Sequence, residues 1–145
     1  IDWVITNPPF RLAAQFVEQG LRVARRGVAV FVRMSFVEGA GRYEALFRDR
    51  PESYVLPFVE RVVLWKGLLL DPDVAVWHPD AKGGPKMVKP SSATSYCWLV
   101  WLKQPSGCQM LRIPPCRAAL TRPGDYPPVP EHLHAPVDAR QRGLL

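Results

Sequence analysis

Residues 2–10 read DWVITNPPF, and this stretch decides the fold at the front of the chain. The apolar and β-branched run Trp3–Thr6 has the composition of a β-strand. The two prolines that follow have no backbone N–H to donate, so the strand must end at Asn7. The stretch therefore predicts a strand that stops at a rigid turn.

A helix and a second strand are predicted after this turn. From Phe10 onward, apolar residues recur every three or four positions, which is the spacing of one helical face. This pattern predicts a helix from about Phe10 to Arg26, ended by Gly27. The apolar run VAVFV at 28–32 predicts a strand buried on both faces, as in a parallel sheet. Since strand, helix and strand follow in this order, we expect Asn7 at the carboxyl end of a parallel strand, where open α/β sheets bind ligands.

Weaker patterns describe the middle of the chain. A short helical stretch is predicted around 42–48, with Tyr43, Leu46 and Phe47 facing inward. Strands are predicted over 59–65 and 94–102, and the residues between them read as a loop rich in Gly and Pro turns. No helical pattern separates these two strands, so we expect an antiparallel pair at one side of the sheet.

The composition changes near residue 104. Of the 16 prolines, eight lie from Pro105 onward, and the sequence there predicts one short strand at most, near 109–113, without any other helical or strand period. The sequence therefore predicts a folded domain over 1–103 and a Pro-rich, largely irregular and mobile tail over 104–145.

Bulk composition limits the class of protein. With 145 residues, 48% of them hydrophobic and 22% charged, the chain can form about one domain with its own core. Its apolar runs are much shorter than the roughly 20 residues of a membrane span, so we expect no membrane segment and a cytoplasmic location. The first residue is Ile rather than Met and no signal peptide is recognisable, so we expect a part of a longer reading frame.

The cysteines and histidines do not form a metal-binding pattern. The chain has three of each: Cys97, Cys108, Cys116, His78, His132 and His134. No CxxC pair is present, and the histidines are not at the spacing of a metal site relative to the cysteines. The sequence predicts free thiols in a reducing compartment and no metal site.

The net charge of +6 is compatible with a polyanionic partner, because Lys and Arg that neutralise phosphates release counterions. The basic residues concentrate near the end of the predicted helix and in the loop that follows the third strand: Arg22, Arg25, Arg26, Lys82, Lys86 and Lys89. Both clusters also fit an ordinary solvated surface. The net charge is therefore compatible with nucleic-acid binding but does not by itself indicate it.

The turn at residues 7–10 carries the chemistry. The Asn7 amide offers an acceptor oxygen and two donor hydrogens, and the Pro8 carbonyl has no partner within the strand. Two acceptors can thus converge on one planar amino group, with Pro9 as a rigid spacer. Phe10 adds a flat face on which a base can stack, worth about 1–3 kcal/mol. The simpler interpretation is that Asn7 and the prolines only cap the following helix.

The sequence NPPF after an apolar strand resembles the Asn/Asp/Ser-Pro-Pro-aromatic motif of the S-adenosylmethionine-dependent amino-methyltransferases, above all the DNA adenine-N6 methyltransferases. The stretches LPFVERVVLWKG at 56–67 and SATSYCWLVW at 92–101 look like later strands of phage- and prophage-type members. The resemblance covers roughly residues 1–103. It implies a partial Rossmann-like α/β methyltransferase sheet, S-adenosylmethionine as cofactor and DNA as partner.

The resemblance also implies roles for the four motif residues. Asn7 and the Pro8 carbonyl accept hydrogen bonds from the target amino group, Phe10 stacks on the flipped adenine, and Pro9 holds the spacing. The methyl sulfonium is a strong electrophile, so positioning supplies most of the rate. Flipping is needed because the amino group of a paired adenine is occupied in the duplex. Three further residues lie at the expected pocket rim without an assigned role: Arg33, Ser35 and Glu38.

One part of the family pattern is missing. Members carry, ahead of this motif, a strand and glycine-rich turn for the methionine part of the cofactor and an acidic residue for the ribose. Gly39-Ala40-Gly41 and Gly83-Gly84 do not form such an element. We therefore expect the carboxyl-terminal half of a methyltransferase catalytic domain over 1–103, with unassigned cofactor-binding residues and a need for an amino-terminal half or partner chain.

Two other classes of function stay open. An RNA base or a protein glutamine amide presents the same planar nitrogen to the same residues. A prophage remnant or non-enzymatic binding module would keep the sheet without binding cofactor. The resemblance favours the DNA adenine methyltransferase, and whether the chain is active by itself depends on where the cofactor binds.

Overall fold

A computed structural model of the chain describes residues 1–65, 68–104 and 107–137, except for the side chain of Trp65. The chain divides into two compact units. The first, which we call the sheet unit, comprises Ile1–Val62 and Thr94–Ala118. The second, which we call the hairpin unit, comprises Val63–Ala93 and the residues from Ala119 onward. Residues 107–118, which the sequence assigned to the tail, thus belong to the sheet unit.

The sheet unit is built on a mixed five-stranded sheet. Its strands are β1 (Trp3–Thr6), β2 (Gly27–Arg33), β3 (Tyr54–Pro57), β8 (Tyr96–Leu102) and β9 (Gln109–Met110). They lie in the order β1-β2-β8-β3-β9. β1 and β2 are parallel, and β8 runs antiparallel to both β2 and β3. The predicted mixture of helix, parallel strands and an antiparallel strand is confirmed.

Helix α1 (Ala13–Val23) connects β1 to β2 and follows a 3-10 turn at Phe10–Leu12. It buries the apolar face that the sequence predicted. The helix ends at Val23 rather than Arg26, because Ala24 is already extended and its N–H donates to the Gly20 carbonyl at 2.8 Å. The prediction that Gly27 ends the helix is wrong, since Gly27 is the first residue of β2.

The main core lies between α1 and one face of the sheet. β2 is buried over its first six residues, as expected for a strand covered on both sides. Its alternate residues point into this core together with residues from α1 and β8: Ala13, Val17, Leu21, Val28, Val30, Val32, Cys97, Leu99 and Trp101. The other residues of β2 belong to the opposite face of the sheet, which carries the candidate site.

The predicted antiparallel pair of strands is present, but one of its two strands and its position in the sheet differ from the prediction. β8 pairs with Tyr54–Pro57, not with residues 59–65, and it lies between β2 and β3 rather than at one side. Pro57 weakens the strand signal of this stretch, and β3 ends at this residue. From the predicted strand only Leu64–Trp65 is extended, as β4 in a two-stranded sheet with β5 (Leu68–Leu69).

The chain after β2 is helical in short pieces. A 3-10 turn at Met34–Val37 leads to α2 (Ala40–Arg42) and a π-helical turn at Tyr43–Phe47, which overlaps the predicted helix. Leu46 is buried in the core as expected. Tyr43 is 54% exposed, so its predicted inward orientation is wrong.

The hairpin unit contains structure where the sequence predicted a loop and a mobile tail. β6 (Val76–His78) and β7 (Lys86–Val88) pair antiparallel. Leu133, in a 3-10 turn at Glu131–Leu133, is buried together with Leu70 and Val76 of this unit. A short helix α3 (Arg117–Leu120) also lies in the predicted tail. The part of that tail at 138–145 lies outside the described residues.

Candidate functional site

Three strand ends meet at one edge of the sheet. β1 ends at Thr6, which pairs with Val30 of the parallel strand β2. β2 continues to Arg33, which pairs with Tyr96, the first residue of β8. Because β8 is antiparallel, its beginning lies beside the carboxyl ends of β1 and β2. The turn at Asn7 therefore lies at the carboxyl end of a parallel strand, as the sequence predicted.

The Asn7 side chain is exposed at this edge. Within the described part of the chain, its amide has no hydrogen-bond partner. The 3-10 turn that follows begins after Pro9 and has no side-chain cap. The capping interpretation of Asn7 therefore does not hold, and the full hydrogen-bonding capacity of its amide is available to a ligand.

The two prolines differ in their surroundings. Pro8 is buried, whereas Pro9 is exposed and extended, with φ −53° and ψ 123°. The Pro9 carbonyl accepts a hydrogen bond from the Leu12 N–H at 2.8 Å. No backbone N–H of the described residues donates to the Pro8 carbonyl, so this acceptor is not used by the turn.

The Phe10 ring is half-buried and is held by residues of two strands. Its centroid lies 5.9 Å from that of Tyr96, with 34° between the ring planes. The guanidinium carbon of Arg33 lies over the Phe10 ring, 5.1 Å from its centroid. The ring proposed for base stacking is thus fixed from β8 and contacted by a cation from the end of β2.

Behind Phe10 lies an aromatic cluster, which we define as Phe10, Phe31, Phe58, Tyr96 and Trp98. Phe31 stacks on Tyr96 with centroids 5.2 Å apart and 10° between planes. Phe31 also meets Trp98 and Phe58 edge to face, at 5.7 and 6.0 Å. Such pairs contribute about 0.5–1.5 kcal/mol each beyond their buried area, so the cluster stabilises the packing behind Phe10.

Sequence reasoning identifies Asn7, Pro8, Pro9 and Phe10 but not the residues that hold them. Arg33 was expected at the rim without a role, and the sequence singles out neither Phe31 nor Tyr96. These residues come from strands far apart in sequence and meet only through the β2–β8 register. The available signal is the alternation of Tyr96 and Trp98 along β8, and it becomes informative only when the pairing of β8 with β2 is known.

The positive charge is concentrated in the sheet unit, which carries twelve Lys and Arg against seven Asp and Glu, a net +5 of the chain's +6. The arginines that follow α1 lie at the edge opposite Asn7. There, Arg25 pairs with Asp2 at 3.2 Å, and Arg26 lies over the Trp3 ring. Arg11 and Arg33 are the exposed basic residues next to Phe10, one by sequence and one by contact.

The lysines of the other basic cluster surround a concavity in the hairpin unit. Lys82, Lys86 and Lys89 line a cavity of about 370 Å³ beside the β6–β7 hairpin. A cavity of about 450 Å³ in the sheet unit lies between the end of α1 and Trp101, at the edge opposite Asn7. Neither of these two cavities is lined by a motif residue, and Asn7 and Pro9 are exposed at the strand ends.

The glycines do not provide a cradle for S-adenosylmethionine. Gly39 has a φ of 107°, but a Cβ placed there would lie 3.2 Å from a guanidinium nitrogen of Arg42, so this space is already filled. Gly83 and Gly84 belong to the turn between β6 and β7 rather than to a turn from strand into helix. The described residues therefore do not fit this cofactor, and none is assigned to it.

Other site classes find no support in the described ranges. No group of three or more His, Cys, Asp or Glu residues there could hold a metal ion. The three cysteines are all free thiols, with Cys97 buried and Cys108 exposed. None of the helices described has both the length and the apolar character needed to cross a bilayer.

Comparisons of the chain with family models, with curated proteins and with solved structures found no match. The function assigned below therefore depends on the NPPF resemblance and on the geometry at the ends of β1, β2 and β8.

Proposed function

We propose that this chain is the acceptor-binding part of an S-adenosylmethionine-dependent methyltransferase that acts on the exocyclic amino group of adenine in DNA. One observation carries the proposal. The Asn7 side-chain amide is exposed at the carboxyl end of a parallel strand and has no hydrogen-bond partner among the described residues. Three residues later, the Phe10 ring packs against the aromatic cluster.

The proposed role of Asn7 and Pro8 is to orient the amino group. The Asn7 side-chain oxygen and the Pro8 carbonyl each accept one N–H of the adenine amino group, which leaves the nitrogen lone pair directed away from both acceptors. Neither acceptor is used inside the described structure, so substrate binding breaks no existing hydrogen bond. Correct placement of reacting atoms can supply about 7–11 kcal/mol of a barrier, so no ionised base is required.

The proposed role of Phe10 is to stack on the flipped adenine, which is worth about 1–3 kcal/mol. Its contact with Tyr96 and the stack of Tyr96 on Phe31 support a fixed ring position. A preformed ring loses little conformational freedom when the base arrives, so most of the stacking energy contributes to binding.

The charge favours nucleic acid over a protein glutamine as the acceptor. The sheet unit has a net charge of +5, which suits a phosphate backbone. A glutamine amide would satisfy the same two acceptors but would not need an aromatic ring flanked by arginines. Since the described residues do not fit the methyl donor, we assign no step to a donor-binding residue.

The test is an NMR titration of the chain with deoxyadenosine and with its analogue that lacks the 6-amino group, because the chain is proposed only as the acceptor-binding part. We expect deoxyadenosine to bind more tightly than the analogue, and Asn7→Ala to remove most of this preference because one of the two acceptors for the amino group is lost. Gln19→Ala, which removes an exposed amide from α1, is the matched control and retains the preference. Equal binding of the two ligands by the wild-type chain, or an undiminished preference in Asn7→Ala, would contradict the proposal.

A further inference from the structure

We infer that Arg33 is a phosphate-binding residue for the flipped nucleotide and that it covers the Phe10 ring until a base takes its place. This inference rests on the proposed function and deepens it. It makes the preferred ligand of the site a nucleotide, with its phosphate, rather than a bare base or a side-chain amide.

Arg33 is placed for this exchange. It is the last residue of β2 and its side chain is exposed, while its guanidinium carbon lies 5.1 Å from the Phe10 centroid. Within the described ranges it forms no ion pair with a carboxylate, unlike Arg25 with Asp2 or Arg48 with Glu44. The Phe10 ring is thus the partner that the structure shows for this guanidinium.

A base and the guanidinium compete for the same ring. Tyr96 contacts Phe10 from β8 and the Arg33 guanidinium lies over the ring, so we assign the area beneath the guanidinium to the stacking base. An exposed contact between an arginine and a phenyl ring is weaker than the stacking of a base on that ring. A base that reaches Phe10 therefore displaces Arg33.

The displaced guanidinium then lies next to the sugar and phosphate of the same nucleotide. Its planar fork of N–H donors matches two phosphate oxygens, and such charge-assisted pairs are stronger than neutral hydrogen bonds. No charged partner within the described ranges has to be released first, so the guanidinium is available as soon as it leaves the ring. The contact with the phosphate thus replaces the contact with the Phe10 ring that the Arg33 guanidinium loses.

The exchange is tested with two ligands that differ by one phosphate. The chain is titrated with deoxyadenosine and with deoxyadenosine monophosphate, and binding is followed by NMR. We expect the wild-type chain to prefer the monophosphate by about tenfold, as one charge-assisted phosphate contact gives. In Arg33→Gln this preference falls to near parity, while deoxyadenosine binds as well as before or better because the ring is uncovered.

Arg22→Gln is the matched control, since Arg22 is exposed in the last turn of α1 and far from Phe10 in the fold. It retains the preference for the monophosphate. An unchanged preference in Arg33→Gln overturns the role of Arg33 while leaving the base site intact. Failure of the wild-type chain to bind either ligand overturns the proposed function itself, so the two failures are distinguishable.

Discussion

The rings of Phe31 and Tyr96 stack across the β2–β8 pair, with centroids 5.2 Å apart and planes within 10° of parallel. Tyr96 also contacts Phe10, so the ring of the NPPF turn is held by two buried aromatic residues of the sheet. The position of the candidate site therefore depends on how β2 and β8 pack, and not on the turn alone.

Removal of the Tyr96 ring is expected to affect stability and binding together. Tyr96 is 6% exposed, so Tyr96→Ala lowers the free energy of unfolding by about 3 kcal/mol and loosens Phe10. Tyr96→Phe keeps the ring and both of its aromatic contacts. Denaturant unfolding and deoxyadenosine titration measure the two effects. Tyr43→Ala, which removes a 54% exposed ring, changes stability by less than about 0.5 kcal/mol, and equal losses for both alanine variants would be the contrary result.

Gly27 is expected to tolerate no side chain. A Cβ there would lie 2.6 Å from the Trp101 carbonyl oxygen and 2.6 Å from the Trp3 ring. The carbonyl belongs to the neighbouring strand and cannot move freely, so Gly27→Ala destabilises the fold by about 1–3 kcal/mol. Gly41→Ala, with nothing within 4 Å of its Cβ, is neutral or stabilising by up to about 1 kcal/mol. Thermal unfolding compares the pair, and a stable Gly27→Ala protein would argue against this packing.

The Cys97 thiol makes stability depend on alkaline pH. Burial, and to a lesser extent the Glu52 carboxylate, raise the pKa of Cys97 from 9.0 to about 11. The folded state thus keeps the proton to higher pH than the unfolded state. This difference contributes about 3 kcal/mol to the free energy of unfolding. The contribution is fully present below pH 9 and is lost as pH rises through about 11.

Denaturant unfolding of the wild-type chain and of Cys97→Ala, each measured from about pH 8 to about pH 11, isolates this effect. The difference between the two proteins should shrink as pH rises, because only the wild type loses the thiol contribution. A difference that stays constant across this range would show that burial does not hold the proton on Cys97.

Arg42 is expected to hold the segment that follows Arg33. Its guanidinium donates to the Phe36 carbonyl at 2.8 Å and the Ser35 carbonyl at 3.2 Å. Arg42→Met lowers the free energy of unfolding by about 1–2 kcal/mol. It also speeds hydrogen exchange of the Glu38 backbone amide, whose N–H donates to the Ser35 carbonyl. Arg48→Met removes only exposed ion pairs and costs less than about 1 kcal/mol. Unchanged exchange at Glu38 in Arg42→Met would refute this role.

The local parts of the fold could be predicted from sequence. Two prolines end a strand and a three-to-four-residue apolar period favours a helix, so the end of β1 and the presence of α1 could be predicted from their own residues. The parallel pairing of β1 and β2 follows from their order along the chain. The strand β3 was missed because the apolar run at 62–65 gives a stronger signal than Tyr54–Pro57, and pairing with β8 decides between them.

The surroundings of the site could not be predicted because they depend on register. Arg33 and Tyr96 become neighbours only when β2 and β8 pair as they do, and a slip of one residue between these strands would place the two side chains on opposite faces of the sheet. The burial of Leu133 likewise requires the hairpin unit as a packing partner for a Pro-rich segment. Sequence periodicity carries no information on such long-range contacts.

The central claim is that the NPPF turn receives an adenine extruded from DNA, and fluorescence of 2-aminopurine measures this most directly. We predict that a duplex with 2-aminopurine in place of adenine gains fluorescence when the chain binds, since the base leaves its stack. Phe10→Ala should raise the DNA concentration needed for this gain by about tenfold, because one stacking partner of the base is removed. DNA binding without any gain in fluorescence, or an equal gain at equal DNA concentration with Phe10→Ala, would contradict the account.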